Sequence, residues 1–109
     1  MHEVALTQSI VEAIQERLGE TRVVRVRLAV GQLTAVLPDA LRFAFATCTE
    51  GTSLDGACLE IDEIVARGRC NRCAREGQLE GALALCPCGS ADIELSSGRE
   101  LDIAEVEVA

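Results

Sequence analysis

Trp and Tyr are absent from this 109-residue chain, and Phe43 and Phe45 are its only aromatic residues. Platforms on which exposed bases could stack are therefore missing. Lysine is absent as well: all ten basic residues are Arg, set against 18 Asp and Glu, and the formal net charge of −8 lacks the basic surface that a phosphate backbone requires. Nucleic acid is excluded as a partner on both counts. A single His stands at position 2, so no imidazole is available to assemble a nucleophilic triad or an open zinc hydrolase centre. No apolar run approaches the roughly 20 residues of a membrane span, and the N-terminus is neither basic nor followed by an apolar signal core. These absences predict a cytoplasmic protein that makes no membrane contact and is not an enzyme.

What the chain does have is apolar content of 49%, drawn from Ala, Val, Leu and Ile, and six Cys. The length suits one modest domain with room for only a small second module. Four of the cysteines form two close pairs, Cys70-Asn71-Arg72-Cys73 and Cys86-Pro87-Cys88, separated by twelve residues. Paired thiols at the ends of a short loop offer a soft tetrahedral ligand set of the kind structural zinc prefers, and a closed four-thiolate site leaves no position for a reactive water. Two disulfides, or four unrelated buried thiols, are the competing readings; a chain without a signal peptide keeps its thiols reduced, which favours the metal. Gly89 directly after the second pair suits a turn that wraps its amides around a thiolate. The second pair is irregular, with Pro87 alone between the cysteines where two to four residues are usual. Cys48 and Cys58 fall on helical and strand faces and read as small buried core residues.

Periodicity supplies the elements. Leu6, Ile10, Val11, Ile14 and Leu18 recur at helical spacing, predicting a helix over 4–18 that Gly19 ends. Val24, Val26, Leu28 and Val30 alternate with polar residues, predicting a strand over 22–30. Pro38 and Asp39 open a second helix running to about residue 49. Alternation returns over 57–66, with a bend at Ile64-Val65, and over 100–108. Arg67-Gly68-Arg69 and Ser96-Ser97-Gly98 read as linkers, and between them Leu79 to Leu85 and Ile93 to Leu95 read as short strands. The last strand finds no apolar face in the small module, so it is expected to rejoin the sheet of 22–30 and 57–66. The expected organisation is a domain of residues 1–66 completed by 99–109, with 67–98 inserted as the cysteine module.

The other chemically distinctive stretch is Met1-His2-Glu3. A free α-amine, the His2 amide nitrogen and the His2 imidazole close fused five- and six-membered chelates, a planar nitrogen set suited to Ni(II) or Cu(II); an ordinary solvated terminus is the competing reading of the same residues.

These features together resemble the hydrogenase maturation nickel metallochaperones, the HypA/HybF family. The residues that carry the resemblance are Met1-His2-Glu3 opening a helix, Gly31-Gln32-Leu33, Pro38-Asp39 with Leu41-Arg42-Phe43-Ala44-Phe45, the two cysteine pairs with Cys88-Gly89-Ser90, and Gly98-Arg99-Glu100-Leu101. The resemblance runs the full length. It implies an α+β fold, two helices packed on a three-stranded sheet, with an inserted small zinc-ribbon-like module held by four cysteines. It further implies transferable Ni(II) bound at His2, with the Met1 amine and the backbone of His2 and Glu3 as co-ligands, and structural Zn(II) at Cys70, Cys73, Cys86 and Cys88. The implied partners are a maturation GTPase and the large subunit of [NiFe] hydrogenase, with urease served by some members. The expected state is a monomer or weak homodimer. A zinc-ribbon adaptor that ignores nickel, or a thiol redox sensor, are the rival classes. Where the family has two residues between the second pair of cysteines, this chain has one.

Overall fold

The structure is a computed structural model that describes residues 2–79 and 84–109, with the side chain of His2 outside the description. Among the described residues two helices and six strands follow in the order α1 (His2–Leu18), β1 (Val23–Gly31), a 3-10 turn (Gln32–Thr34), α2 (Pro38–Cys48), β2 (Cys58–Ile64), β3 (Arg67–Cys70), β4 (Glu76–Gln78), β5 (Ile93–Ser97) and β6 (Leu101–Val108). They form two three-stranded sheets, ordered β2-β1-β6 and β4-β3-β5. The chain divides into two compact units, one of residues 1–28, 36–61 and 103–109, the other of 29–35 and 62–102.

In the first unit α1 packs on α2. The predicted stripe of α1 is the one that is buried, through Ile10, Val11 and Ile14, and α2 contributes Leu41, Ala44 and Phe45. Val26, Leu28 and Val30 of β1 are no more than 3% exposed, as the alternation predicts, but at the start of the strand the expectation is corrected: Val24 is 39% exposed and Val23 is buried in its place. Each such fully buried aliphatic side chain contributes roughly 1.5–3 kcal/mol. Gly19 ends α1 at φ 61, a left-handed conformation in which a Cβ would be strained. Pro38 starts α2 within its first two positions, where its missing N–H costs nothing.

The polar face of β1 is tied across the sheet. Arg25 contacts Glu60 of β2 and Glu105 and Glu107 of β6, each at 2.9 Å, and Arg27 reaches Glu105 at 3.4 Å. The last strand rejoins the sheet of the first and second long strands, as expected, and the structure adds that it pairs with β1, which is central.

The second unit has a thin core of Ala66, Leu79 and Ala84, against which Leu33, Ile93 and Leu95 pack. Two of the segments singled out in the sequence meet here. Gly31 donates its amide to the Glu100 carbonyl at 2.7 Å and Leu33 donates to the Gly98 carbonyl at 2.8 Å, and a Cβ on Gly31 would collide with the Gly98 backbone.

Three further expectations are corrected. Arg67-Gly68-Arg69 is not a linker but most of β3, the central strand of the second sheet, because buried Gly68 and Cys70 alternate with exposed Arg67 and Arg69. Ser96 and Ser97 belong to β5, leaving Gly98, at φ 117, as the turn. Cys58 is exposed and Cys48 only half-buried, so neither is a core residue. The strand expected over 79–85 lies partly outside the described residues; β4 precedes it, at Glu76–Gln78.

Candidate metal centre

The first cysteine pair follows directly from β3. Cys70 ends the strand, its amide donates to the Arg75 carbonyl at 2.8 Å, and its carbonyl accepts from Ala74 at 2.9 Å. Ala74 adopts φ 63 to close this turn, and the Cys73 amide points at the Cys70 sulfur, 3.5 Å away. The second pair repeats the pattern one residue shorter. The Cys86 amide donates to the Ser90 carbonyl at 3.0 Å, and the Cys86 carbonyl accepts from Gly89 at 2.8 Å, with Gly89 at φ 93 in the place of Ala74. The single residue between Cys86 and Cys88 is thus absorbed by shortening both turn hydrogen bonds by one position, and the sulfurs stay aligned.

All four Sγ atoms lie within 4.8 Å of one another. Two close contacts cross between the pairs, Cys70 to Cys88 at 3.8 Å and Cys73 to Cys86 at 3.6 Å. A tetrahedron of sulfurs about 2.3 Å from a zinc ion has an edge of about 3.8 Å. The donor set and spacing fit zinc, and they do not fit disulfides, whose sulfurs stand about 2.05 Å apart. Cys70 and Cys86 are buried while Cys73 and Cys88 are exposed, so the cluster sits at the rim of its unit.

The thiols do not share charge equally. The Cys73 amide, assisted by the Arg72 amide and the Cys73 and Cys88 thiols, outweighs burial and lowers the Cys70 pKa to about 6. At Cys86 the Cys88 amide lowers the pKa, but burial and the hydrogen bonds with Cys88, Cys73 and Cys70 together push it up to about 12. A divalent ion would replace these shared protons with its own charge.

Asp92, a residue not singled out in the sequence, braces the two turns together with Asn71 and Ser90. The Asn71 amide donates to the Asp92 carbonyl at 2.9 Å, its Nδ2 to Asp92 Oδ1 at 3.1 Å, and the Asp92 amide to Ser90 Oγ at 3.1 Å. The signal available was the position of Asn71, directly after the first cysteine, and of Asp92, just beyond the second cysteine turn.

The N-terminal candidates are only partly visible. Met1 lies outside the described residues, as does the side chain of His2, whose backbone begins α1. Glu3 is buried, and its Oε2 accepts from the Leu37 amide at 3.3 Å. Its carboxyl is held below its ordinary pKa first by its own backbone amide and then by that of Leu37. The Glu3 carbonyl is in turn capped by the fully buried Thr7 hydroxyl at 2.6 Å. The four cysteines are thus brought together by the fold, whereas the three N-terminal candidates are adjacent through the chain itself.

Four converging sulfurs on a small sheet, joined to a two-helix α+β unit, define a metal-handling protein. A family model described as "Hydrogenase/urease nickel incorporation, metallochaperone, hypA" matches residues 1–108, and the chain belongs to that family. Among curated relatives it is 46% identical over 108 residues to the hydrogenase maturation factor HypA of Nostoc punctiforme, covering 99% of this chain and 96% of that protein. It is 42% identical over 109 residues to the protein of the same name from Geobacter metallireducens, covering 99% of each. The fold is that of the Ni metallochaperone HypA from Helicobacter pylori in solution, with a TM-score of 0.65 at 20% identity over 97% of this chain and 96% of that one.

Proposed function

We propose that this chain is a carrier of Ni(II) for hydrogenase maturation that binds its cargo at the amino terminus and keeps its cysteine module folded with Zn(II). The observation that carries the reading is that the family match spans residues 1–108 and so takes in both Met1-His2-Glu3 and the four cysteines. His2 supplies imidazole and amide nitrogens, and the Met1 amine completes the fused chelate. Glu3 contributes through its backbone nitrogen, and its carboxylate accepts from the Leu37 amide. Planar nitrogen coordination suits Ni(II) and leaves an open face on which a partner's ligands enter before the old ones leave.

Cys70, Cys73, Cys86 and Cys88 hold the zinc, which supplies structural crosslinking and no reactive position. Residues 67–98 act as a zinc module inserted into a nickel-binding domain of 1–66 and 99–109. The chain works in the cytoplasm, catalyses no reaction, and hands nickel on together with a maturation GTPase to the large subunit of [NiFe] hydrogenase, with urease as a second recipient. Among the described residues no helix is long and apolar enough to cross a membrane.

The test is calorimetry with the native amino terminus exposed. His2→Ala, or one residue added ahead of Met1, should abolish nickel binding while zinc content stays at one ion per chain. Unchanged nickel stoichiometry in either variant overturns the N-terminal site.

A further inference from the structure

The arginines differ in what their guanidiniums do. Arg22 donates to the Asp55 carbonyl, Arg25 holds Glu60, Glu105 and Glu107, Arg27 reaches Glu105, and Arg42 donates to the Leu59 carbonyl. The stretch Arg67-Gly68-Arg69-Cys70-Asn71-Arg72-Cys73-Ala74-Arg75 behaves otherwise. It places four Arg and no acidic residue in nine positions of a chain whose formal charge is −8. All four side chains are exposed, and among the described residues none of the four guanidiniums makes an ion pair or hydrogen bond.

Arg72 and Arg75 lie in the first cysteine turn, where they offset the negative charge of four thiolates around a divalent ion. Arg67 and Arg69 cannot be explained that way. They alternate along β3 with buried Gly68 and Cys70, so they stand on the face of the sheet away from the Cys70 side chain. Two positions apart on one strand, they are about 6.6 Å from each other. Carboxylates at alternate positions of an extended segment have the same spacing, and each can engage one guanidinium through two parallel hydrogen bonds.

The surroundings narrow the ligand further. Arg67 and Arg69 line an open groove of about 470 Å³, with Glu76 and Glu94 also in its lining. Glu76 of β4 and Glu94 of β5 stand opposite Arg69 in the strand register, yet neither approaches it closely enough to form an ion pair. Arg67 has the neutral Gln78 and Ser97 as its cross-strand neighbours. A carboxylate is therefore attracted along the β3 line and repelled on both flanks of Arg69. Such a narrow positive line disfavours a broad polyanion such as nucleic acid, which also finds no Trp or Tyr to stack on.

We propose that the exposed face of the β4-β3-β5 sheet is a docking groove for an extended acidic segment of a partner protein, with Asp or Glu at alternate positions over Arg67 and Arg69. This goes beyond the nickel and zinc reading and depends on neither metal being cargo.

The test titrates the zinc-loaded, isotopically labelled full chain with a ten-residue peptide carrying Asp at alternate positions. Amide shifts should centre on residues 67–69, 76–78 and 93–97. Arg67→Gln with Arg69→Gln should raise the dissociation constant about tenfold or more at unchanged zinc content, and Arg72→Gln with Arg75→Gln about threefold or less. A peptide of the same composition with its Asp residues contiguous should bind several-fold more weakly. Should the Arg67 and Arg69 variant lose its zinc, the shift map of the wild-type chain decides. An absence of shifts, shifts centred on 72–75, equal losses in the two double variants, or equal competition by a single-stranded 20-nucleotide DNA would each overturn the proposal.

Discussion

Glu3 is an acidic residue buried in the first turn of a helix, where two amides, its own and that of Leu37, hold its carboxylate. Its pKa in the folded chain lies below the ordinary 4.5, so its stabilising contribution is complete above that value and is lost as pH falls through the lower folded pKa. Glu3→Gln should therefore lower the urea midpoint more at pH 7 than at a pH well below 4.5. An offset that is the same at both pH values would show that the charge is not what stabilises. The two aromatics make the opposite point about position. Phe45 is 4% exposed and Phe43 77%, although one residue separates them. Phe45→Ala should cost about 3–5 kcal/mol, and Phe43→Ala no more than about 0.5 kcal/mol, in chemical denaturation. Comparable costs would mean that Phe43 is covered in solution. The sequence quotes both within one motif and does not separate them, because a helix face is assigned only once its neighbour is placed.

Among the elements, α1, β1, α2 and β6 are the ones whose apolar period repeats long enough to be legible, and they lie within two residues of their predicted bounds. β3 was hidden because its alternation is of glycine and cysteine against arginine, so nothing apolar marks its buried face. The second cysteine turn was legible in kind but not in geometry. Only the backbone shows that dropping one residue moves Cys86 onto Ser90 and Gly89 where Cys70 uses Arg75 and Ala74. β1 owes its central place partly to Arg25, which neutralises three carboxylates brought in by β2 and β6. Arg25→Gln leaves Glu60, Glu105 and Glu107 facing one another and should lower the melting temperature. The loss should shrink by about half or more in 1 M NaCl, where the Debye length is about 3 Å. A salt-independent loss would assign the role of Arg25 to packing of its aliphatic stem.

For the molecule as a whole, the two units differ in how they are held. The first has a continuous aliphatic core spread over two helices and β1, whereas the second relies on Ala66, Leu79 and Ala84 with three partly buried neighbours. So little apolar burial cannot offset the ordering of two cysteine turns, and the missing stabilisation is what a structural zinc ion supplies, about 10–16 kcal/mol in zinc-finger peptides. Chelation should therefore abolish amide-exchange protection in β3, β4 and β5 while α1, α2 and residues 23–28 of β1 stay protected. Uniform loss across the chain, or no loss anywhere, would contradict a metal that stabilises one unit.

The sequence by itself determined the helices and long strands, the return of the last strand to the first sheet, the two cysteine pairs and the run of nitrogen-bearing groups at Met1-His2. Those follow from periodicity and from atoms adjacent along the chain. Only the tertiary structure decided that four sulfurs separated by up to eighteen residues stand within 4.8 Å of one another, that the Leu37 amide reaches Glu3, and that Arg67 and Arg69 share an open face without partners among the described residues. Such relations depend on where separate segments are brought by packing, and no local spacing encodes them.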